Sequence, residues 1–172
     1  MSGLVLVAQA VDGRFGRLRR RHDPAARQGM PAHVTLVFPF AEPQALSAED
    51  RVRLATVFAG AAPLALTFAA TGRFPGVLWL APEPATAIVD LVMRLAEAFP
   101  DHPPYGGAFG TVVPHLTLAQ GDEALLDRLE ARIAGRLRQP IVAPVAAAVL
   151  FATRADRWTP VERFALGDAV GG

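Results

Sequence analysis

Short apolar runs of strand length alternate along this chain with segments whose apolar residues recur at helical spacing. Leu4 to Ala10 reads as a strand ended by the turn-favouring pair Asp12-Gly13. A basic segment follows, with a helix expected around Arg14 to Arg21. His33 to Phe38, rich in β-branched and aromatic residues, predicts the next strand. Ser47-Ala-Glu-Asp50 has the form of a capping box, in which a hydroxyl and a carboxylate satisfy free N–H groups, and opens a helix to about Phe58. Leu64 to Ala70 and Val77 to Leu80 predict strands. Ile88, Leu91, Val92, Leu95 and Phe99 line one face of a helix. Pro103-Pro104-Tyr105-Gly106-Gly107 reads as a loop, since proline cannot donate and glycine tolerates unusual dihedrals. His115 to Ala119 is the next strand. Asp122 caps a helix whose inner face is Leu125, Leu126, Leu129, Ile133 and Leu137. Ile141 to Ala152 and Val161 to Leu166 supply the closing strands.

This order runs twice: strand, helix, strand, helix, strand. The repetition predicts an α+β fold of two lobes related by a pseudo-twofold axis, each a sheet flanked by helices. Residues 1–172 then form a single two-lobed domain. The first lobe is expected to span about 1–75 and the second about 76–167, with strands free to be exchanged between them.

His33-Val-Thr35 and His115-Leu-Thr117 stand at matching places in the two halves. Side chains at i and i+2 of a strand share a face. His33 and Thr35 therefore look into one space while Val34 and Leu36 enter the core, and His115 and Thr117 do the same beside Leu116 and Leu118. Packed about a twofold axis, the two pairs meet across a cleft. Two imidazoles and two hydroxyls suit in-line displacement at phosphorus. One neutral imidazole takes a proton from water and one imidazolium gives a proton to the leaving oxygen. An unperturbed pKa of ~6.5 allows both states near neutral pH. The threonines donate to the non-bridging oxygens, whose charge grows in the transition state.

Composition narrows the rest. The chain has 172 residues and no cysteine, which excludes disulfides and thiolate metal sites. No stretch approaches the ~20 uninterrupted apolar residues of a membrane span, and Met1 to Ala10 lacks the basic leader of a signal peptide. A cytoplasmic monomer is expected. All 17 basic residues are arginine, and Arg14, Arg17, Arg19, Arg20, Arg21 and Arg27 crowd one segment. Such a cluster is a solvated helix face or a surface that meets phosphates.

On Pro31-Ala-His-Val-Thr-Leu-Val-Phe38, Phe74-Pro-Gly-Val-Leu-Trp-Leu80 and Pro114-His-Leu-Thr-Leu-Ala119, the chain resembles the two-histidine phosphoesterase superfamily. The resemblance is to its 2′-5′ RNA ligase (RNA cyclic phosphodiesterase) branch and spans Leu4 to about Leu166. It implies that His33 and His115 are the catalytic acid and base, and that Thr35 and Thr117 bind phosphate. It also implies a reaction that opens a 2′,3′-cyclic phosphate on RNA or a nucleotide without a cofactor or metal, and in some members 2′-5′ ligation. RNA ends or cyclic nucleotides are the expected partners. This chain departs from the family at Pro39, at Gly76 and at Gln120, the last two being positions where the family often carries arginine.

Phe40, Tyr105, Arg154 and Trp158 are further candidates for substrate contact, the aromatics by stacking on a base and Arg154 from a loop. Phe38, with the same stacking potential, and Trp79 read instead as core, and His22 and His102 as exposed histidines. A non-catalytic RNA- or nucleotide-binding module using the same cleft is the alternative, although a pure binder has no need of a paired acid and base. A metal-dependent hydrolase is disfavoured, because neither motif has a cysteine or carboxylate beside it.

Overall fold

A computed structural model describes residues 1–103, 107 and 111–167, which form eight strands and five α-helices among the described residues. The first strand, β1 (Ser2–Val7), stops earlier than its apolar run suggests, because α1 (Gln9–His22) already begins at Gln9. Asp12-Gly13, expected to end the strand, lies inside this helix. Asp12 stands in the first turn, where free N–H groups favour negative charge, and its carboxylate accepts the Ala32 N–H at 2.6 Å. A tertiary contact thus overrides the local turn signal. A short helix, α2 (Pro24–Arg27), is capped by the Asp23 carboxylate and leads to β2 (His33–Phe40).

The capping box forms as read. Ser47 accepts from the Asp50 N–H and Asp50 from the Ser47 N–H, at the start of α3 (Ala48–Ala59). Then follow β3 (Leu64–Phe74), β4 (Val77–Glu83), α4 (Ala85–Ala98), β5 (Leu116–Gln120) and α5 (Glu123–Ala134). The apolar run from Ile141 to Ala152, expected as one strand, divides at Ala146. Its first part, β6 (Ile141–Val145), alternates buried and exposed residues as an edge strand does and tolerates Pro144. Its second part, β7 (Ala147–Arg154), is buried on both faces through Ala152 and pairs with β8 (Arg157–Ala165).

Two antiparallel four-stranded sheets result, ordered β2-β1-β7-β8 and β5-β4-β3-β6. Each has a His-x-Thr segment at an edge strand, the first within β2 and the second running into β5, next to the strand that opens its half of the chain. The sheets do not divide at residue 75: β3 pairs in the second sheet, while β7 and β8 return to the first. Each sheet is therefore completed by strands from the other end of the chain. One apolar core runs through both lobes, joining Leu4, Leu6, Val34 and Leu36 of the first sheet to Leu78, Leu80, Leu116 and Leu118 of the second. Phe15 of α1, Phe58 of α3, Leu91 of α4 and Leu126 of α5 close it from the helical side. Among the described residues no helix is long and apolar enough to cross a membrane.

Candidate active site

Strand register decides which side chains face the cleft. His33 pairs with Val7 and Thr35 with Val5 across β2 and β1, and directly opposed residues project to the same face. Val34 and Leu36, on the other face, are buried in the core. In the second lobe Thr117 lies opposite Trp79, His115 immediately precedes β5, and Leu116 and Leu118 are buried. The edge strands β2 and β5 lie against one another, so the two His-x-Thr segments adjoin.

Both imidazoles are held alike. His33 Nδ1 lies 2.8 Å from the carbonyl of Pro31, and His115 Nδ1 lies 2.8 Å from the carbonyl of Val113. A carbonyl only accepts, so in each ring Nδ1 carries the hydrogen and Nε2 the lone pair. Burial pushes the His33 pKa down to about 4; the Pro31 carbonyl opposes this, and the Arg19 charge adds to it. Burial also lowers the pKa of His115, again against its carbonyl partner. Both shifts favour the neutral ring.

His115 sits in an aromatic box. The ring of Phe74 meets it edge-on at 5.0 Å between centroids, and Trp79 stands 6.1 Å away. Trp79 in turn lies over Gly72, where a Cβ would come within 2.2 Å of the indole carbons. Only glycine leaves room for this ring. Trp79, read from sequence as core, is half-buried and on the face that Thr117 uses.

Behind the two motifs is a group that the sequence reading missed. Arg19, 1% exposed, donates from Nε to the Thr117 carbonyl at 3.1 Å. Its other nitrogens reach Asp12 at 3.0 Å and Asp23 at 2.7 Å. Since Asp12 also holds the Ala32 N–H, one guanidinium ties the strand of the second motif to the residue that precedes His33. The signal available was Arg19 and Asp23 at i and i+4, but five neighbouring arginines made it look like any solvated helix face. Arg14 is also engaged, by the carbonyls of Arg136 and Gln139.

The outlying candidates part company. Trp158 packs on Val5, Met30, Val149 and Phe151, on the face shared by His33 and Thr35, and meets Phe38 edge-on at 6.0 Å. Phe40 is buried between Phe99 and His102, which leaves little ring surface for a base. Arg154 is exposed at the β7–β8 hairpin, and Tyr105 lies outside the described residues. Among the described residues no three His, Cys, Asp or Glu side chains come together to hold a metal ion.

The family model of the 2′-5′ RNA ligase superfamily matches residues 7–157, which include both His-x-Thr segments. The chain belongs to this superfamily. Escherichia coli LigT complexed with 3′-AMP has the same fold, with a TM-score of 0.60 at 20% identity over 97% of this chain and 98% of that one. LigT complexed with NADP+ gives 0.59 at 19% identity, over 97% of each chain. The protein TT0787 of Thermus thermophilus gives 0.62 at 19% identity, over 97% of this chain and 98% of that one. A comparison with curated protein sequences finds no match. As a member of the 2′-5′ RNA ligase superfamily, the chain keeps both motifs, while Gly76 and Gln120 are uncharged. These two stand together, since Gln120 pairs with Val77 and the Gly121 N–H bonds to the Gly76 carbonyl.

Proposed function

We propose that this chain is a phosphodiesterase that opens the 2′,3′-cyclic phosphate of an RNA end or nucleotide to a 2′-phosphate, using two histidines and no metal ion. The observation that carries this reading is the matched bond from Nδ1 to a main-chain carbonyl at both histidines. It sets both rings in the same tautomer, each with Nε2 able to accept or return a proton.

His33, with its pKa held down to about 4, remains neutral and serves as the base. Its Nε2 takes a proton from a water that attacks phosphorus in line with the bond to O3′. His115 serves as the acid: the anionic phosphate raises its pKa on binding, and Nε2–H delivers the proton to O3′ as the P–O3′ bond breaks. Water is consumed, its hydroxyl oxygen stays on phosphorus, and the 3′-hydroxyl leaves protonated. Thr35 and Thr117 donate to the non-bridging oxygens as charge builds there. The 2′-5′ ligase reaction is the same displacement with a 5′-hydroxyl in place of water: O5′ bonds to phosphorus, the P–O3′ bond breaks, and the 3′-hydroxyl leaves protonated.

A product-resolved assay over nucleoside 2′,3′-cyclic phosphates and RNAs with cyclic-phosphate ends tests the reading. Formation of 2′-phosphates in the presence of EDTA is the expected result. A wild-type protein that binds RNA yet leaves every cyclic phosphate intact would replace the enzyme with a binding module.

A further inference from the structure

Beside the first motif is a basic pocket that the acid–base pair does not use. It has a volume of about 490 Å³ and lies between α1, the 26–31 segment and the β7–β8 hairpin, with Arg20, Arg27 and Arg157 in its wall. These arginines come from three separate elements and converge on one space. Among the described residues none of their guanidiniums has an ion-pair or hydrogen-bond partner, whereas Arg19, Arg51 and Arg73 each grip carboxylates. Asp12, also in the wall, is committed to Arg19 and the Ala32 N–H. The pocket thus holds three positive charges with no free anion to balance them, and guanidinium forks of this kind match phosphate oxygens.

The backbone makes room for one of the three. Gly29 has φ of +94°, and a Cβ there would stand 3.3 Å from the Arg157 Nη2. The turn therefore seats Arg157 closely against its main chain. Pro31 connects the pocket to the chemistry, because it lines the wall and its carbonyl orients His33. Two residues of chain span at most about 7 Å, so the pocket wall begins within that distance of the His33 backbone.

A 2′,3′-cyclic phosphate closes the 3′ end of its nucleotide, so any other phosphate on the substrate lies on the 5′ side. We infer that the Arg20–Arg27–Arg157 pocket binds that 5′-side phosphate, either the internucleotide phosphodiester of an RNA or the 5′-phosphate of a nucleotide. The inference rests on the cyclic-phosphate reading of the cleft, and it makes the first lobe the part of the molecule that distinguishes substrates with a second phosphate.

The test compares wild type with the double variant Arg20→Gln/Arg157→Gln, both exposed positions, and with Gly29→Ala, which displaces Arg157 from its seat. Thermal unfolding establishes that each variant folds. Three ligands are used in their 2′-phosphate product form, so that none is consumed: a nucleoside 2′-phosphate, the same nucleotide with a 5′-phosphate, and a short RNA. Turnover of the matching cyclic phosphates is measured alongside. The double change should weaken the two ligands that carry a 5′-side phosphate by about 10-fold or more. It should also lower the salt slope of RNA binding by about 0.7 for each phosphate that the arginines no longer neutralise. The simple nucleoside 2′-phosphate should bind, and its cyclic form turn over, as in wild type. A loss confined to the RNA or to the 5′-phosphorylated nucleotide identifies which source of phosphate the pocket takes. Equal effects on all three ligands, or no effect on any, would overturn the inference. Because affinity is read apart from turnover, a wild type that hydrolyses nothing sinks the enzymatic reading while the affinities still decide the pocket.

Discussion

Arg19 donates its Nε–H to the main-chain carbonyl of Thr117, 98 residues away in sequence. The same guanidinium is ion-paired to the partly buried Asp12 and the buried Asp23, so a charge triad centred on a buried arginine lies directly behind the two motifs. Removing one member of such a group strands the others, at a typical cost of about 3–5 kcal/mol. Arg19→Met should therefore unfold at markedly lower denaturant. Arg19→Lys keeps the charge, but a compact ammonium cannot span the Thr117 carbonyl, Asp12 and Asp23 as the planar guanidinium does, so its defect should fall on kcat more than on KM. A displacement of about 1 Å in a reacting group costs about 10²-fold, and a loss of that order is expected. A kcat equal to wild type in a folded Arg19→Lys protein would show that the triad only stabilises.

His33→Ala and His115→Ala should each lower turnover of a nucleoside cyclic phosphate by about 10²–10⁴-fold, the range for a general acid or base. Product affinity should change far less. The double variant should lose little more than either single one, since a base without its acid is already ineffective. Losses that multiply would mean that the two histidines act independently.

The depressed pKa of His33 makes stability depend on pH. Its folded pKa of about 4 lies below the unfolded value of 6.5, so the folded state favours the neutral ring. The contribution is present above pH 6.5 and is lost as pH falls towards 4. His115 acts in the same direction. Unfolding free energy should thus decline as pH falls from 6.5 to 4, and His33→Gln should reduce that decline. A His33→Gln protein whose stability falls as steeply as wild type over this window would show that the ring is not held neutral.

The box around His115 depends on an absent side chain. Gly72→Ala places a methyl group inside the present position of the Trp79 indole, so the ring must move and Phe74 and His115 lose their packing. Turnover should fall by about 10-fold or more, with a shift in indole fluorescence as the direct readout. Unchanged emission together with unchanged kcat would mean that the indole moves aside without consequence.

Much of this protein is legible in its chain because the physics involved is local. Alternation and helical spacing announce most elements, and Ser47 and Asp50 form their capping box from neighbours in sequence. The i, i+2 geometry of a strand suffices to put His33 with Thr35 and to bury Val34 and Leu36. Tertiary structure decided what depends on distant partners. Asp12-Gly13 has the composition of a turn but lies in a helix, because Ala32 and Arg19 each hold one oxygen of the Asp12 carboxylate. The run from Ile141 to Ala152 looks continuous but serves two sheets, since an apolar pattern does not say which partner buries it. Six clustered arginines are indistinguishable in sequence. Folding buries Arg19 among carboxylates and a carbonyl, and leaves Arg20 and Arg27 facing an open pocket with Arg157. The difference is one of helical phase and of what packs opposite, and neither is written in the local order of residues.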